Sequence, residues 1–178
     1  QKNIKLNMLY RENAPTIVKK RYMEHISNNK ILGIYTLNDE LLNSSEEKKV
    51  ISKLKKEIKK NDLVIVSDYG HGFITNKIAK ILCKNSKFLA LNAQSNASNV
   101  GYHTIQKYKN VDCVVMNESE LRQELRDRNQ KIFPLAKKLV DMINIGHLVI
   151  TKGSDGAIMY NKQTKKFYNI PAFASKVV

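Results

Sequence analysis

Four polar clusters carry whatever chemistry this sequence holds: Ser67-Asp68-Tyr69-Gly70-His71-Gly72, Asn92-Ala93-Gln94-Ser95-Asn96, Asn117-Glu118-Ser119-Glu120 and Lys152-Gly153-Ser154-Asp155-Gly156. Each follows directly on a short apolar run. Together they offer carboxylates, amides, a lysine and glycine turns, but no Ser-His-Asp set and no His/Cys cluster at metal-ligand spacing. Such groups suit the positioning of phosphates and hydroxyls better than nucleophilic or zinc chemistry.

The runs before these clusters, LVIVS at 63–67, FLALN at 88–92, CVVMN at 113–117 and LVIT at 148–151, read as buried parallel strands. Between them TNKIAKILCKN, ESELRQELRDR and FPLAKKLVDMIN have helical spacing. Strands alternating with helices predict an α/β fold with a doubly wound, mostly parallel sheet in three layers. In such a sheet the ligand lies beyond the carboxyl ends of the strands, so the four clusters should line one crevice. Upstream, PTIVKKRYMEH and KILGIYTLND alternate around Ser27-Asn28-Asn29 and predict a small antiparallel hairpin over 15–38. Ser44 with Glu47 predicts a capping box that opens a helix with Val50, Ile51, Leu54 and Ile58 on one face. After Thr151, the strands AIMYN and KKFYNIP form a second hairpin. No repeat or linker divides the chain, which reads as one domain over 1–178 with its α/β core at 44–178.

The series SDYGHG, NAQ, NESE, TKGSDGA and a strand ending at KVV resembles the ribokinase-like (PfkB) carbohydrate kinases, and within them the heptose 7-phosphate kinase modules fused to a nucleotidylyltransferase. The resemblance runs from about Pro15 to Val178 and covers the interior of a kinase domain. It implies an ATP-dependent, Mg²⁺-requiring phosphotransferase acting on a sugar or sugar phosphate. It also implies that the motif bearing the catalytic Asp lies beyond Val178, so that no catalytic residue falls within this chain and the chain is inactive alone.

The same resemblance assigns roles. Asn117-x-x-Glu120 matches an element that organises the Mg²⁺ and phosphate shell, with Glu120 toward the metal; an Asn N-cap with Glu three residues on is equally an ordinary capping box. Thr151-Lys152-Gly153-Ser154-Asp155-Gly156 resembles the turn that borders the nucleotide phosphates, where Gly153 and Gly156 permit close backbone approach and Lys152 adds a charge; a plain hairpin turn has the same composition. Asp68 matches an exposed strand-end carboxylate that contacts acceptor or nucleotide. His71 stands where heptose kinases commonly carry Lys, which makes a phosphate contact conditional on imidazole protonation. Asn92 stands where relatives often carry Asp, and opens a polar stretch to Asn99. Lys19 and Arg21 match a Lys-x-Arg element on the lid strands that close over the sugar, although cations also protect edge strands from aggregation. The His71 and Asn92 departures leave a second reading open, a degenerate kinase-like domain that binds a sugar nucleotide or a protein partner without catalysis.

With 178 residues, 42% of them hydrophobic, the chain can bury a real core. It begins at Gln1 and ends at Val178 after an apolar stretch, which reads as a piece of a longer protein. No run approaches the roughly 20 apolar residues needed to span a bilayer, and Cys83 and Cys113 lack ligand-spaced neighbours, which suits reduced thiols and the cytoplasm. The formal net charge of +15 sits mostly on lysines of helix faces such as KKVISKLKKEIKK. With few aromatics and no Arg-rich stripe, these read as solvated faces, not as a nucleic-acid surface. The partners expected are a nucleotide and a sugar, with a homodimer through the first hairpin by analogy.

Overall fold

The structure, a computed structural model, describes residues 3–95, 99 and 103–173. Near the start, β1 (Val18–Met23) and β2 (Lys30–Thr36) pair antiparallel as a two-stranded sheet. Their turn is closed by Glu24 N–H donating to the Asn29 carbonyl at 2.8 Å, with Asn28 in the left-handed region at φ 56°. Register puts Val18, Lys20 and Tyr22 on one face with Leu32, Ile34 and Thr36, and puts Lys19, Arg21 and Met23 on the other with Lys30, Gly33 and Tyr35.

Helix α1 (Ser44–Ile58) follows. Its cap differs from the sequence expectation by one residue. Asn43, not Ser44, is the N-cap: its side chain accepts from Ser45 and Glu46 N–H, and Glu46 reaches back to Asn43 N–H at 3.0 Å. The Asn carboxamide and the hydroxyl compete for the same helix-end donors, and starting at Asn43 frees Glu47 to turn inward, where it accepts from Thr75 Oγ1 and pairs with Lys77 at 3.0 Å. That contact ties α1 to the start of α2 (Asn76–Asn85), which Thr75 caps.

The main sheet has the strand order β3 (Val64–Asp68), β4 (Leu89–Ala93), β5 (Val111–Asn117), β6 (Ile145–Thr151), β7 (Ala157–Asn161) and β8 (Lys166–Ile170). The first four are parallel and the last two antiparallel. Helices α3 (Glu118–Leu125) and α4 (Ile132–Ile143) connect β5 to β6. This mixed, mostly parallel sheet with connecting helices and a separate small hairpin agrees with the sequence expectation, whereas the third layer of a doubly wound sheet is not formed by the described residues.

Among the described residues the parallel strands follow chain order without reversal. Right-handed crossovers then send every connecting helix to the same side of the sheet. Val66, Leu89, Leu91, Val114, Met116, Leu148 and Ile150 point to that side and form the core with residues such as Ile78, Leu82, Leu121, Leu135, Leu139 and Val140 from the helices. Phe167 of β8 packs edge-on against Phe133 of α4, centroids 4.6 Å apart, and holds the edge hairpin to this layer. On the opposite face Ile65 is 72% exposed, Val115 and Tyr168 are exposed, and Ala90, Cys113, Val149 and Met159 are half-buried. No helix of the described residues covers that face. Cys83 and Cys113 are both free, and no helix of the described residues is long and apolar enough to cross a membrane.

Candidate active site

The carboxyl ends of β3 to β6 come to one rim, as the parallel register requires. Asn117 and Thr151 are register partners on adjacent strands, both exposed on the face away from the core. Glu120 sits behind them, 5% exposed. Its Oε2 accepts from Asn117 N–H at 2.8 Å, Asn117 Oδ1 accepts from Glu120 N–H at 2.8 Å, and Glu120 Oε1 accepts from Ser95 N–H at 3.2 Å. The pair therefore is a capping box, and it also stitches the end of β4 to the start of α3. These bonds use one lone pair on each Glu120 oxygen and leave others, so the carboxylate retains capacity for a hard cation. Among the described residues no group of three or more His, Cys, Asp or Glu gathers as a metal cluster. A single carboxylate fits Mg²⁺, which keeps its waters and takes other ligands from substrate phosphates; it does not fit an all-protein cage.

After β6 the chain turns through residues 153–155 as one short 3₁₀ turn, closed by Lys152 N–H donating to the Gly156 carbonyl at 2.8 Å. Gly156 has φ 81°, and a Cβ there would collide with the Ile170 carbonyl oxygen. Gly153, at φ 58°, has nothing near its missing side chain, so the turn's backbone is open to an approaching group. Lys152 is half-buried with its Nζ 3.8 Å from Asp155.

Asp68 corrects the sequence expectation. It is not an exposed strand-end ligand but 4% exposed. Its parity in β3 is that of Val66, so its side chain points into the helical side, where residues 103–108 pack. It accepts from Tyr108 Oη at 2.7 Å and Gly70 N–H at 2.9 Å, and pairs with Lys107 Nζ at 2.6 Å. Burial pushes its pKa up, but the Lys107 ammonium and these hydrogen bonds outweigh burial and hold it below the ordinary aspartate value. Burial and the Asp68 charge push the Tyr108 phenol up in turn. His103 Nε2 lies 3.9 Å from the same carboxylate, and burial lowers its pKa. Nothing in the sequence marks Lys107 and Tyr108 as partners of Asp68, which lies 40 positions before Tyr108.

Asn92 ends half-buried, its Nδ2 donating to the Val115 carbonyl at 2.9 Å. The β4–β5 ladder pairs only Ala90 with Cys113 and Leu91 with Val114, so the side chain supplies the next cross-strand bond. Part of the polar stretch that Asn92 opens, residues 96–98, and the strand ending at KVV lie outside the described residues.

The loop after β3 carries the other candidates. Gly72, at φ 77°, passes so close to residues 39 and 40 that a Cβ would strike the Glu40 carbonyl oxygen. His71 is 7% exposed, with neither ring nitrogen hydrogen-bonded among the described residues. Burial, then the charge of Lys19, lowers its pKa against the opposing pull of Asp39 and Asp68. Burial thus favours the neutral imidazole, and a phosphate charge from this side chain stays conditional on its protonation. Above it hangs the cationic face of the β1–β2 hairpin: Lys19 Nζ lies 5.5 Å from the Tyr69 ring centroid and 5.9 Å from that of Tyr35. The structure therefore gathers Lys19, Tyr69 and His71 at one end of the rim, with Arg21 on the same hairpin face as Lys19, and Asn117, Glu120, Thr151 and the Gly153 turn at the other.

This architecture is the ribokinase-like kinase fold. Ribokinase from Giardia lamblia matches it with a TM-score of 0.64 at 16% identity, over 92% of this chain and 51% of that one. Arabidopsis thaliana ribokinase, solved with ribose and ATP, matches with a TM-score of 0.64 at 12% identity over the same shares, 92% and 51%. The chain belongs to the pfkB family of carbohydrate kinases, whose model matches residues 1–178. The bifunctional protein HldE of Desulfatibacillum aliphaticivorans is 25% identical over 145 residues, 79% of this chain and 29% of that protein. The chain thus spans about a third of the length of the curated relatives it matches and about half that of the solved kinases.

Proposed function

We propose that this chain is the interior of an ATP-dependent kinase that phosphorylates a sugar phosphate, a heptose 7-phosphate, on the way to a nucleotide-activated heptose. The observation that carries the reading is the division of one rim into two chemically distinct ends. At one end, the open Gly153 turn offers backbone N–H groups, the Thr151 hydroxyl and Asn117 amide N–H can donate to nucleotide phosphates, Lys152 adds a charge nearby, and Glu120 would hold Mg²⁺. The cation neutralises developing phosphoryl charge when bound. At the other end, Lys19 and Arg21 face Tyr69 and His71, a cationic and aromatic roof suited to a phosphorylated acceptor. His71, neutral, can donate one hydrogen bond and accept one, which fits a sugar hydroxyl. Asn92 keeps its Oδ1 for the acceptor side, whereas Asp68 supports the loop through Lys107.

Asp68 is sealed by Lys107 and Tyr108, and Glu120 is bound to two backbone amides. The resemblance to the pfkB kinases implies a base outside residues 1–178, and the chain alone is expected to be inactive. The similarity to a ribokinase solved with ATP supports the nucleotide, and the HldE relatives support the heptose. The exposed apolar face of the hairpin, Val18, Tyr22, Leu32 and Ile34, supports a homodimer formed by two hairpins, in the cytoplasm.

The test is phosphoryl transfer by the full-length protein from Mg²⁺-ATP to heptose 7-phosphates, unphosphorylated heptoses and common hexoses, with Glu120→Gln as control. Turnover on a heptose 7-phosphate that collapses in the control supports the reading. A folded protein with no turnover on any sugar favours the non-catalytic binding module instead.

A further inference from the structure

The hairpin face turned toward His71 holds more than the two cations its sequence advertises. Because the β1–β2 register shifts between Tyr22 and Met23, Lys30 pairs with Met23, Gly33 with Arg21 and Tyr35 with Lys19, which brings Lys30 onto the same face as Lys19 and Arg21. Position 33 is the open space on that face. A Cβ on Gly33 would stand 2.9 Å from Lys30 Cε and 3.0 Å from Lys30 Nζ, so the lysine lies folded back across the glycine. There Nζ donates to Tyr35 Oη at 3.2 Å, and it sits 5.6 Å from the Tyr35 ring centroid. Among the described residues Lys19, Arg21 and Lys30 form no ion pair. The hydrogen bond from Lys30, its charge, and then Arg21 and Lys19 draw the Tyr35 pKa down, which records how strongly this face favours negative charge.

We infer that Lys30 is a third cation of the acceptor-phosphate subsite beside Lys19 and Arg21, with Tyr35 as its positioning residue and Gly33 as the gap that admits it. The inference rests on the reading of the acceptor as a sugar phosphate. Three cations on one side of a short sheet match a phosphate dianion better than two, and a residue folded across Gly33 approaches from the strand opposite Lys19 and Arg21, so the anion is gripped from both strands. The other face of the hairpin is apolar apart from Lys20 and Thr36, which leaves this cation set no equivalent on the solvent side.

Steady-state kinetics of the full-length protein test it, with a heptose 7-phosphate and the same heptose lacking the phosphate. Lys30→Met is expected to raise KM for the phosphorylated acceptor about tenfold, the scale of one charged hydrogen bond. It should leave kcat, KM for ATP and KM for the free heptose unchanged. Lys30→Arg should restore most of the affinity, and Tyr35→Phe should raise the same KM by a smaller factor. Gly33→Ala, whose Cβ meets the flexible end of Lys30 and, at 3.2 Å, the Tyr35 hydroxyl, should reproduce the Lys30→Met effect with an unaltered melting temperature. If Lys30→Met keeps the wild-type KM while Lys19→Met and Arg21→Met raise it, the inference is overturned and the sugar-phosphate reading stands. A wild-type enzyme that does not discriminate the two heptoses overturns both.

Discussion

Lys107 Nζ and the Asp68 carboxylate meet 2.6 Å apart with their side chains 13% and 4% exposed, so a residue that resembles a ligand is instead the anchor of its own loop. Breaking a buried pair by removing one partner leaves an uncompensated charge. Lys107→Met is expected to cost about 3–5 kcal/mol in urea unfolding, and the double variant Asp68→Asn/Lys107→Met to recover part of that loss. A Lys107→Met variant as stable as the wild type would show that the pair carries no net weight.

Acid should weaken the fold in two stages. The pKa values of His71 and His103 are lowered in the folded chain, so the unfolded chain binds more protons as pH falls below about 6.5. Stability contributed by their neutral forms is present above that pH and lost on approach to the folded values. Asp68 is likewise depressed below 3.8, so its contribution is full above that value and lost as pH falls through its folded pKa. Unfolding measured from pH 7.5 to 5 should therefore slope downward toward acid, and the double variant His71→Gln/His103→Gln should flatten that slope without touching the later one.

Gly156 is fixed by two independent constraints, a φ of 81° and the Ile170 carbonyl against its α-carbon. Gly156→Ala should lose at least about 1–3 kcal/mol, the cost of a strained backbone residue. Gly153→Ala, with the same sign of φ but open space around it, should lose less. Comparing the two in denaturant melts separates collision from backbone preference.

The sheet face away from the helices exposes Ile65, Val115 and Tyr168 beside half-buried Val149 and Met159. A contiguous apolar surface of this kind marks an interaction face or an aggregation liability. The 178-residue chain is expected to bind an apolar dye and to self-associate as concentration rises, and Ile65→Lys together with Val115→Lys to reduce both. Dye fluorescence and sedimentation of the two chains check it.

The elements were legible because their signals are local. Short continuous apolar runs marked β3 to β6, helical spacing marked α2 to α4, and their alternation implied that the polar strand ends meet on one rim. The Asn117–Glu120 capping box was legible for the same reason, since both partners lie within one helical turn. The α1 cap was misplaced by one residue because Asn43, Ser44 and Ser45 all carry capping side chains, and only the inward use of Glu47 by Thr75 and Lys77 decides among them.

By itself the sequence determined the alternating α/β elements, the position of the Gly153 turn and the cationic character of the first hairpin, all encoded in residues close to one another along the chain, and its series of motifs carried the resemblance to the kinases. Tertiary structure alone decided that Asp68 is buried against Lys107 and Tyr108, that His71 is buried with its pKa lowered, and that Lys30 shares a hairpin face with Lys19 and Arg21. Burial, charge pairing and strand register depend on residues brought together from distant or bulged segments, and no local pattern specifies which of them will meet.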